Sequence, residues 1–327
     1  MTERENALRV YRHEKPEWTP NFVEAVFLAG FWSNNECGLR GEKVTDHTAL
    51  DVFGVEWDLS HGSPVPVPGK YILDDILNWR SIPFPEPETW DWKSMAEIEL
   101  KDYDGTKVLT YFCEQGLFDR LTQLMGFENG LMALLLEPEE CAKFFERMAD
   151  YKIQIIQLVA KYYHPDVFLY SDDIAKADSL FMSPDTYREL IKPNQARIIQ
   201  AIIDNGMIPE QHTCGKCEAV IDDYVEIGVQ SFFPAQASNN IVEIQKKYGD
   251  RLIINGGFDS QGPAGLPNAD EQTLRAEGRR TAREYAINGS YMLIPMIGDI
   301  MFSTPEQQKA MGIVSEEFRR ECRKLGL

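Results

Sequence analysis

Short segments rich in β-branched and aromatic residues alternate with longer amphipathic segments from residue 108 to the end of the chain. The short segments span 108–113, 167–171, 207–212, 231–234, 252–256 and 291–295. The amphipathic segments span 138–163, 184–205, 218–228, 241–248, 270–288 and 305–325. Because strand–helix alternation at this spacing is typical of parallel βαβ units, the sequence predicts an α/β fold with a parallel sheet.

The first hundred residues lack this alternation and are rich in proline and tryptophan. This composition indicates loops and short strands held by aromatic packing. Two further strands from this part would bring the sheet to eight, which favours a (β/α)8 barrel over an open sheet. We predict one barrel domain over residues 1–327, with residues 1–100 as its irregular N-terminal part. Ser183-Pro184 and Thr304-Pro305 are typical helix starts.

The charge balance and the cysteine content limit the partners and the compartment. The chain has 33 basic and 52 acidic residues, a net charge of -19, which repels nucleic-acid backbones and anionic lipid. Its six cysteines are few and irregularly spaced, and its first residues contain no apolar signal segment. No strand is followed by a Gly-x-Gly-x-x-Gly turn, so a nucleotide cofactor has no support. We expect a cytoplasmic protein that acts on a small molecule.

Polar side chains follow nearly every predicted strand. In a barrel of this kind the active site is built at the carboxyl ends of the strands, so these residues are expected to meet at one face. Converging carboxylates raise each other's pKa and cost stability, which a purely structural barrel does not require. The strand ends carry, in chain order, Glu114, Asp172 with Asp173, Glu210 with His212 and Cys214, Gln236, Asp259 and Asp299.

His212 and Cys214 form a candidate pair of metal ligands. On a strand, residues two apart point to the same side, and an imidazole with a thiolate suits zinc. Glu210 shares this alternation and is predicted as a third ligand, with Cys217 as its substitute. The alternative interpretation is a hydrogen-bonding histidine beside a buried thiol.

The remaining strand-end residues are predicted to handle protons or bind substrate. We assign Glu210 and Asp172 as catalytic acids or bases. Asp173, Gln236, Asp259 and Glu114 are the predicted substrate-binding residues. For the Asp172-Asp173 pair, the structural alternative is one inward-facing acid and one helix cap.

Four motifs in order resemble the uroporphyrinogen decarboxylase superfamily. They are Asp172-Asp173 followed by Ser183-Pro184, the strand end His212-Thr213-Cys214-Gly215, the segment 234–236 and the segment 255–259. The resemblance extends from about residue 51 onward. It implies a distorted (β/α)8 barrel, in agreement with the alternation pattern.

The resemblance favours the cobalamin-linked methyltransferase branch of that superfamily. True uroporphyrinogen decarboxylases carry arginines near the N-terminus that hold substrate carboxylates, whereas residues 19–30 here contain none. In the methyltransferase branch, zinc is held by a histidine, a cysteine and a later cysteine. His212 and Cys214 match the first two, but residues 293–298 lack the third. Either Glu210, Cys217 or another acid completes the site, or no metal binds.

The resemblance therefore implies a methyltransferase that moves a methyl group between a small substrate and a corrinoid carried by a partner protein, with zinc assisting. The substrate would be a methoxylated aromatic, a methylamine or a thiol. One rival is a carboxy-lyase on a small acid, for which Arg120 and Lys176 are the nearest cationic groups in sequence. The other is a non-catalytic binding protein on the same barrel.

Overall fold

The computed structural model describes residues 1–30, 36, 39, 41–60, 63–298 and 303–327. Asp299 lies outside these ranges. The strands of the described part are β1 (Val26–Ala29), β2 (Thr48–Leu50), β3 (Glu56–Asp58), β4 (Val65–Pro66), β5 (Val108–Cys113), β6 (Val167–Ser171), β7 (Ile208–His212), β8 (Ser231–Ala235), β9 (Ile253–Gly257) and β10 (Tyr291–Ile294).

The α-helices lie mainly between the strands. They are α1 (Glu3–Tyr11), α2 (Phe22–Ala25), α3 (Trp92–Glu99), α4 (Leu117–Met125), α5 (Phe127–Leu136), α6 (Pro138–Tyr162), α7 (Pro184–Thr186), α8 (Lys192–Asp204), α9 (Ile221–Glu226), α10 (Ile241–Tyr248), α11 (Glu271–Glu284) and α12 (Pro305–Leu325). A π turn, Tyr187–Ile191, joins α7 to α8. Short 3-10 turns span Ile76–Ser81, Pro87–Thr89, Glu218–Val220, Pro263–Gly265 and Ala286–Asn288.

Seven strands form one curled parallel sheet in the order β1-β5-β6-β7-β8-β9-β10. The predicted α/β barrel is confirmed, with seven strands among the described residues instead of eight. Asn21 makes a parallel bridge to Leu293 of β10, so the segment before β1 meets the far edge of the sheet. The described part of the first hundred residues contributes one barrel strand, β1, where two were expected.

The barrel strands are buried because both of their faces are covered. Alternate residues divide between two apolar clusters: Val108 and Phe112 of β5 belong to the interior cluster, whereas Leu109 and Tyr111 pack with the surrounding helices. This double burial is typical of parallel sheets and explains why these strands read as nearly continuous apolar runs. The same alternation fixes which residues of each strand face the interior.

Helix α1 is a difference from the expected irregular N-terminal part. It begins with a capping box in which the Thr2 side chain accepts from the Glu5 N–H and Glu5 bonds back to the Thr2 N–H. Arg4 forms an ion pair of 2.6 Å with Asp166, directly before β6. Tyr11 lies in the interior cluster. The helix therefore covers the amino-terminal end of the barrel, and tertiary packing stabilises a segment that is short for an independent helix.

The N-terminal part also contains a small antiparallel sheet, β2-β3-β4, packed on the barrel helices. Trp57, Trp79 and Trp92 are buried in the same cluster as those helices, so the predicted aromatic packing is confirmed. Asp51 joins the sheet to α4 because its carboxylate accepts from the Trp57 indole at 3.0 Å and from Arg120 at 2.5 Å. All three side chains are buried.

The predicted helix starts at Ser183 and Thr304 are confirmed. Both side chains cap their helices, and a proline stands at the first helical position of each. None of the helices in the described ranges combines the length and apolarity that a membrane span requires.

Candidate active site

A cavity of about 600 Å³ opens at the carboxyl ends of the barrel strands. Its aromatic walls come from three places: Phe112 and Phe233 on the strands, Trp57 on the small sheet, and Tyr71 with Phe127 beside α4 and α5. This is the position at which barrel enzymes build their active sites, and the volume lies in the range of small-molecule sites.

Asp173, His212 and Cys214 come together in the wall of this cavity. Their ligand atoms all lie within 4.8 Å of one another. His212 Nε2 is 3.5 Å from the Cys214 sulfur and 3.7 Å from Asp173 Oδ1. The ring of His212 lies between Phe112 and Phe233, at centroid distances of 5.6 and 5.3 Å. Within the described residues, these three form the one group of histidine, cysteine and acid side chains with metal-binding spacing.

The loop that carries Cys214 is fixed by hydrogen bonds to two neighbouring segments, one after β6 and one after β8. The Cys214 N–H donates to Asp173 Oδ1 at 2.7 Å, and the Thr213 hydroxyl donates to the Asp172 carbonyl at 2.9 Å. The Gly215 N–H donates to the side chain of Gln236 at 2.9 Å. Gly215 has a φ of +90°, and a Cβ there would lie 2.5 Å from the Lys176 carbonyl oxygen. Only glycine fits this turn, which brings Cys214 back toward Asp173.

Asp172 caps helix α4. Its carboxylate accepts from the N–H groups of Leu117, Phe118 and Asp119 at 2.9–3.0 Å. A Cβ on Gly116 would lie 2.4 Å from the Asp172 side chain, so glycine is required for this close approach. Burial outweighs these hydrogen bonds and raises the pKa of Asp172 to about 6. Asp172 therefore caps a helix that precedes it in the chain, whereas the next helix along the chain is capped by Ser183.

Asp119 is a cavity residue that the sequence reasoning missed. It lies in the first turn of α4, lines the cavity and accepts from the Asp173 N–H at 3.0 Å. Desolvation, followed by the charges of Asp172 and Asp173, raises its pKa well above the usual range. Thr122 and Gln123 line the cavity from the same helix. Polar residues at positions i, i+3 and i+4 of a helix that follows a strand end are the signal that could have found this face.

Glu210, which the sequence predicts as the third metal ligand, does not lie beside His212 and Cys214. Its side chain is fully buried in the barrel interior, where it accepts from Ser231, from Tyr11 at 3.3 Å and from Asn255 at 3.3 Å. Burial is the main cause of its raised pKa. Glu210 is absent from the group of Asp173, His212 and Cys214, and Asp173 occupies the third position instead.

The other predicted residues are placed as follows. Glu114 lines the cavity. Cys217 is fully buried in the apolar core outside the ligand group, and burial raises the pKa of its thiol. Gln236 and Asp259 border a separate depression of about 310 Å³, and Asp259 accepts from the Gly262 N–H at 2.9 Å. The structure thus brings Glu114 and Asp173 to the cavity but not Gln236 or Asp259.

The two cationic groups that a decarboxylase would use are paired with acids. Arg120 is fully buried against Asp51, and Lys176 contacts Asp178 at the surface. Neither lines the cavity, and no other lysine or arginine of the described residues does so.

The residues present fit a zinc ion. Catalytic zinc sites have three protein ligands and one open position, and imidazole nitrogen, thiolate sulfur and carboxylate oxygen are its usual ligands. Zinc bonds of about 2.0–2.3 Å draw tetrahedral ligands to within about 4 Å of one another. The observed separations of 3.5 and 3.7 Å to His212 Nε2 meet this requirement.

Known proteins resemble this chain in sequence and in fold. Two curated relatives from Methanosarcina barkeri, one of them from strain Fusaro / DSM 804, are named Methylcobamide:CoM methyltransferase MtaA and are 27% and 26% identical over 153 residues. The alignment covers 47% of this chain and 42% of each relative, so the chain spans less than half the length of these relatives. A solved methyltransferase from Methanosarcina mazei superposes with a TM-score of 0.71 at 16% identity, over 97% of this chain and 99% of that one, which shows a shared fold.

The family model described as "Uroporphyrinogen decarboxylase (URO-D)" matches residues 47–313, most of the chain. The match contains both Asp173 and the His212–Cys214 strand end that form the wall of the cavity. The chain therefore belongs to the uroporphyrinogen decarboxylase family.

Proposed function

We propose that this protein is a methyltransferase that moves a methyl group between a small substrate and a corrinoid carried by a partner protein, with zinc held by Asp173, His212 and Cys214. The observation that carries the proposal is the meeting of these three ligand atoms within 4.8 Å in the wall of a cavity at the barrel mouth. The names of the two curated relatives support the reaction class and the corrinoid. Asp173 takes the place of the later cysteine that the family pattern leads one to expect.

Zinc bound at such a site would act as a Lewis acid on the substrate heteroatom whose bond to the methyl group breaks or forms. The chain's own residues position that atom. Asp173 is held by the Cys214 N–H, and His212 is flanked by Phe112 and Phe233, so the three ligands are arranged before substrate binds.

Asp119 is suited to hold a proton in the cavity because its raised pKa favours the neutral acid. The predicted catalytic roles of Glu210 and Asp172 remain predictions. Both side chains also accept hydrogen bonds that stabilise the fold. Among the three substrate classes, the aromatic walls favour a methoxylated aromatic over a methylamine or a thiol. None of the five described cysteines forms a disulfide, so the Cys214 sulfur is available for ligation, as a reducing cytoplasm would keep it.

The test measures zinc per chain and methyl transfer in the same preparations. Zinc is determined in the wild type and in Asp173→Ala, His212→Ala and Cys214→Ala. Methyl transfer is followed by the visible spectrum of free cob(I)alamin, which stands in for the partner-bound corrinoid, with 2-methoxyphenol, trimethylamine and ethanethiol as separate substrates. In the thiol assay methylcobalamin is the donor. We expect about one zinc per wild-type chain and loss of zinc and activity in all three variants.

Cys217→Ala is the matched control for Cys214→Ala, and Asp259→Asn for Asp173→Ala. Both controls should keep zinc and activity because neither side chain belongs to the ligand group. Retention of zinc in Asp173→Ala, or wild-type protein that takes up no zinc, would contradict the proposed site. Zinc binding without methyl transfer to or from cobalamin on any of the three substrates would contradict the proposed reaction.

A further inference from the structure

Gln115 and Gln123 form a hydrogen-bonded pair in the cavity wall formed by α4. Gln115 lies between β5 and α4, and Gln123 lies near the end of α4. Both side chains line the cavity, and Gln123 Nε2 donates to Gln115 Oε1. Gln115 is 8% exposed. The pair is therefore a polar element of the cavity wall in which Gln115 is buried and Gln123 is half-buried.

The backbone at Gln115 is held in the left-handed region, with a φ of +60°. This conformation is energetically unfavourable for a residue with a Cβ, so contacts with neighbouring residues must maintain it. They do so on the C-terminal side, where Leu117 N–H donates to Asp172 and to the Tyr170 hydroxyl. Strain of this kind concentrates at binding and catalytic positions. A left-handed residue that is not glycine and whose side chain lines the cavity indicates a side chain needed for binding.

The pair keeps hydrogen-bonding capacity that the described protein atoms do not use. The Gln115 amide offers two N–H donors, and the Gln123 contact engages only its oxygen. Gln123 Oε1 is buried with no hydrogen-bond partner among the described atoms. Exchange of oxygen and nitrogen in both amides leaves the same outcome: one unused donor group and one unused acceptor. Buried polar groups are nearly always paired, so a bound group that both donates and accepts is expected here.

We propose that the Gln115–Gln123 pair binds a neutral hydroxyl group on an aromatic substrate whose methylated heteroatom lies at the Asp173–His212–Cys214 cluster. The inference rests on the proposed function for the reacting end of the substrate and on the cavity itself for the hydroxyl end. Phe112, Phe127 and Phe233 line the space in which the ring would lie. A hydroxyl both donates and accepts, which matches the unused groups of the pair.

The charge of the cavity favours a neutral substituent over an anionic one. Glu114, Asp119 and Asp173 line the same space, whereas no lysine or arginine among the described residues does. A carboxylate on the ring would lose its hydration and lie beside acidic side chains of the protein, with no lysine or arginine to balance its charge. Selection of a phenol over a benzoate follows from the same geometry.

The test is equilibrium binding by isothermal titration calorimetry, with no corrinoid present. The probes are 2-methoxyphenol, methoxybenzene, which lacks the hydroxyl, and 3-methoxybenzoate, which is anionic. The proteins are the wild type, Gln115→Asn, which tolerates the left-handed backbone, and Gln123→Met, which keeps helix propensity and size. Gln200→Leu, at an exposed position of α8, is the control. Two variants on different elements keep the test open if one of them fails to fold.

We expect wild-type protein and Gln200→Leu to bind 2-methoxyphenol about tenfold more tightly than methoxybenzene, the size of one or two neutral hydrogen bonds. The preference should fall to about twofold or less in Gln115→Asn and Gln123→Met, with 3-methoxybenzoate the weakest ligand of the wild type. Equal binding of phenol and ether by the wild type, binding of neither, tighter binding of the benzoate, or an unchanged preference in the folded variants would each overturn the inference. Failure of the proposed function is seen separately, as loss of methyl transfer while this binding preference remains.

Discussion

Strand β7 carries two acids or bases, Glu210 and His212, that point into the barrel from positions two residues apart. The sequence predicts both as ligands of one metal. In the structure Glu210 is enclosed by Tyr11, Ser231 and Asn255, whereas His212 faces the cavity beside Asp173 and Cys214. Strand alternation places both side chains on the same side of β7, but the residues that other elements bring next to each of them differ.

The comparison shows that hydrogen-bond partners decide which side chain is available for chemistry. Tyr11 comes from α1, 199 residues away in sequence from Glu210, and covers the amino-terminal end of the barrel. His212 lies at the last position of the strand, where the cavity begins. The same strand therefore supplies a structural acid in the interior and a candidate metal ligand at the mouth.

Substitutions at His212 and Glu210 should differ most in their effect on methyl transfer. We expect His212→Ala to lower kcat/KM by at least about 100-fold, because removal of one of three ligands affects metal binding more than the 10–100-fold typical of outer contacts. Glu210→Gln should change it by less than about threefold, since the amide keeps the size and one acceptor oxygen. The measurement is methylation of cob(I)alamin by 2-methoxyphenol. If Glu210→Gln lowers kcat/KM as much as His212→Ala does, Glu210 takes part in the reaction.

The second effect is a pH dependence of stability from Asp172. Its pKa in the folded protein is raised to about 6 from a usual value of 3.8, so the folded state binds the proton more tightly than the unfolded state. The contribution to the free energy of unfolding is present below pH 3.8 and is lost as the pH rises through 6. Between pH 4.5 and 7 we expect the wild type to lose about 2 kcal/mol relative to Asp172→Asn.

Urea denaturation of zinc-free protein at several pH values measures this difference. Zinc is removed first because Asp173, the next residue, is a proposed ligand. Gln200→Leu, which changes no titratable group, is the control, and its difference from the wild type should stay constant over the same range. The free energy of unfolding of the wild type minus that of Asp172→Asn should fall as the pH rises. If it stays constant or increases, the carboxylate is ionised in the folded protein over the whole range, which contradicts the raised pKa.

The third effect is the stability cost of removing Glu210. In Glu210→Ala the Tyr11 and Ser231 hydroxyls lose their acceptor in a dry interior, which lowers the free energy of unfolding by about 1–2 kcal/mol. Zinc content should stay at the wild-type value. Urea denaturation and zinc analysis on the same sample check both parts, with His212→Ala as the opposite case: zinc is lost and zinc-free stability changes little. Zinc loss in Glu210→Ala would mean that the interior network also holds the ligands in place.

Local patterns in the sequence were sufficient to predict the barrel and part of the site. The strands from β5 onward were predicted to within a residue or two because parallel strands covered on both faces are continuous apolar runs with helices between them. The pairing of His212 with Cys214 depends on two residues of one loop, so the sequence contained it. The caps at Ser183 and Thr304 are equally local signals.

The features that the sequence did not reveal depend on contacts between distant segments. Asp173 joins the ligand group because the β6 and β7 strand ends lie side by side, and the choice between Asp173 and Glu210 cannot be made from alternation alone. Gln115 reads as one more strand-end residue until its φ of +60° is known. Helix α1 is too short to be identified by periodicity and is stabilised by Asp166 and the barrel interior.

The smallest expected effect distinguishes Gln236 from Asp259. From the sequence, both are predicted as substrate-binding residues at strand ends. Gln236 holds the Cys214 loop through the Gly215 N–H at 2.9 Å, whereas the Asp259 side chain accepts from the Gln261 and Gly262 N–H groups of its own loop. Gln236→Ala should weaken zinc binding about five- to tenfold, the lower end of the range for groups that orient metal ligands. Asp259→Ala should leave it within about twofold. Competition with a chromogenic chelator measures both constants, and equal effects of the two substitutions would show that the hydrogen bond to Gly215 does not orient Cys214.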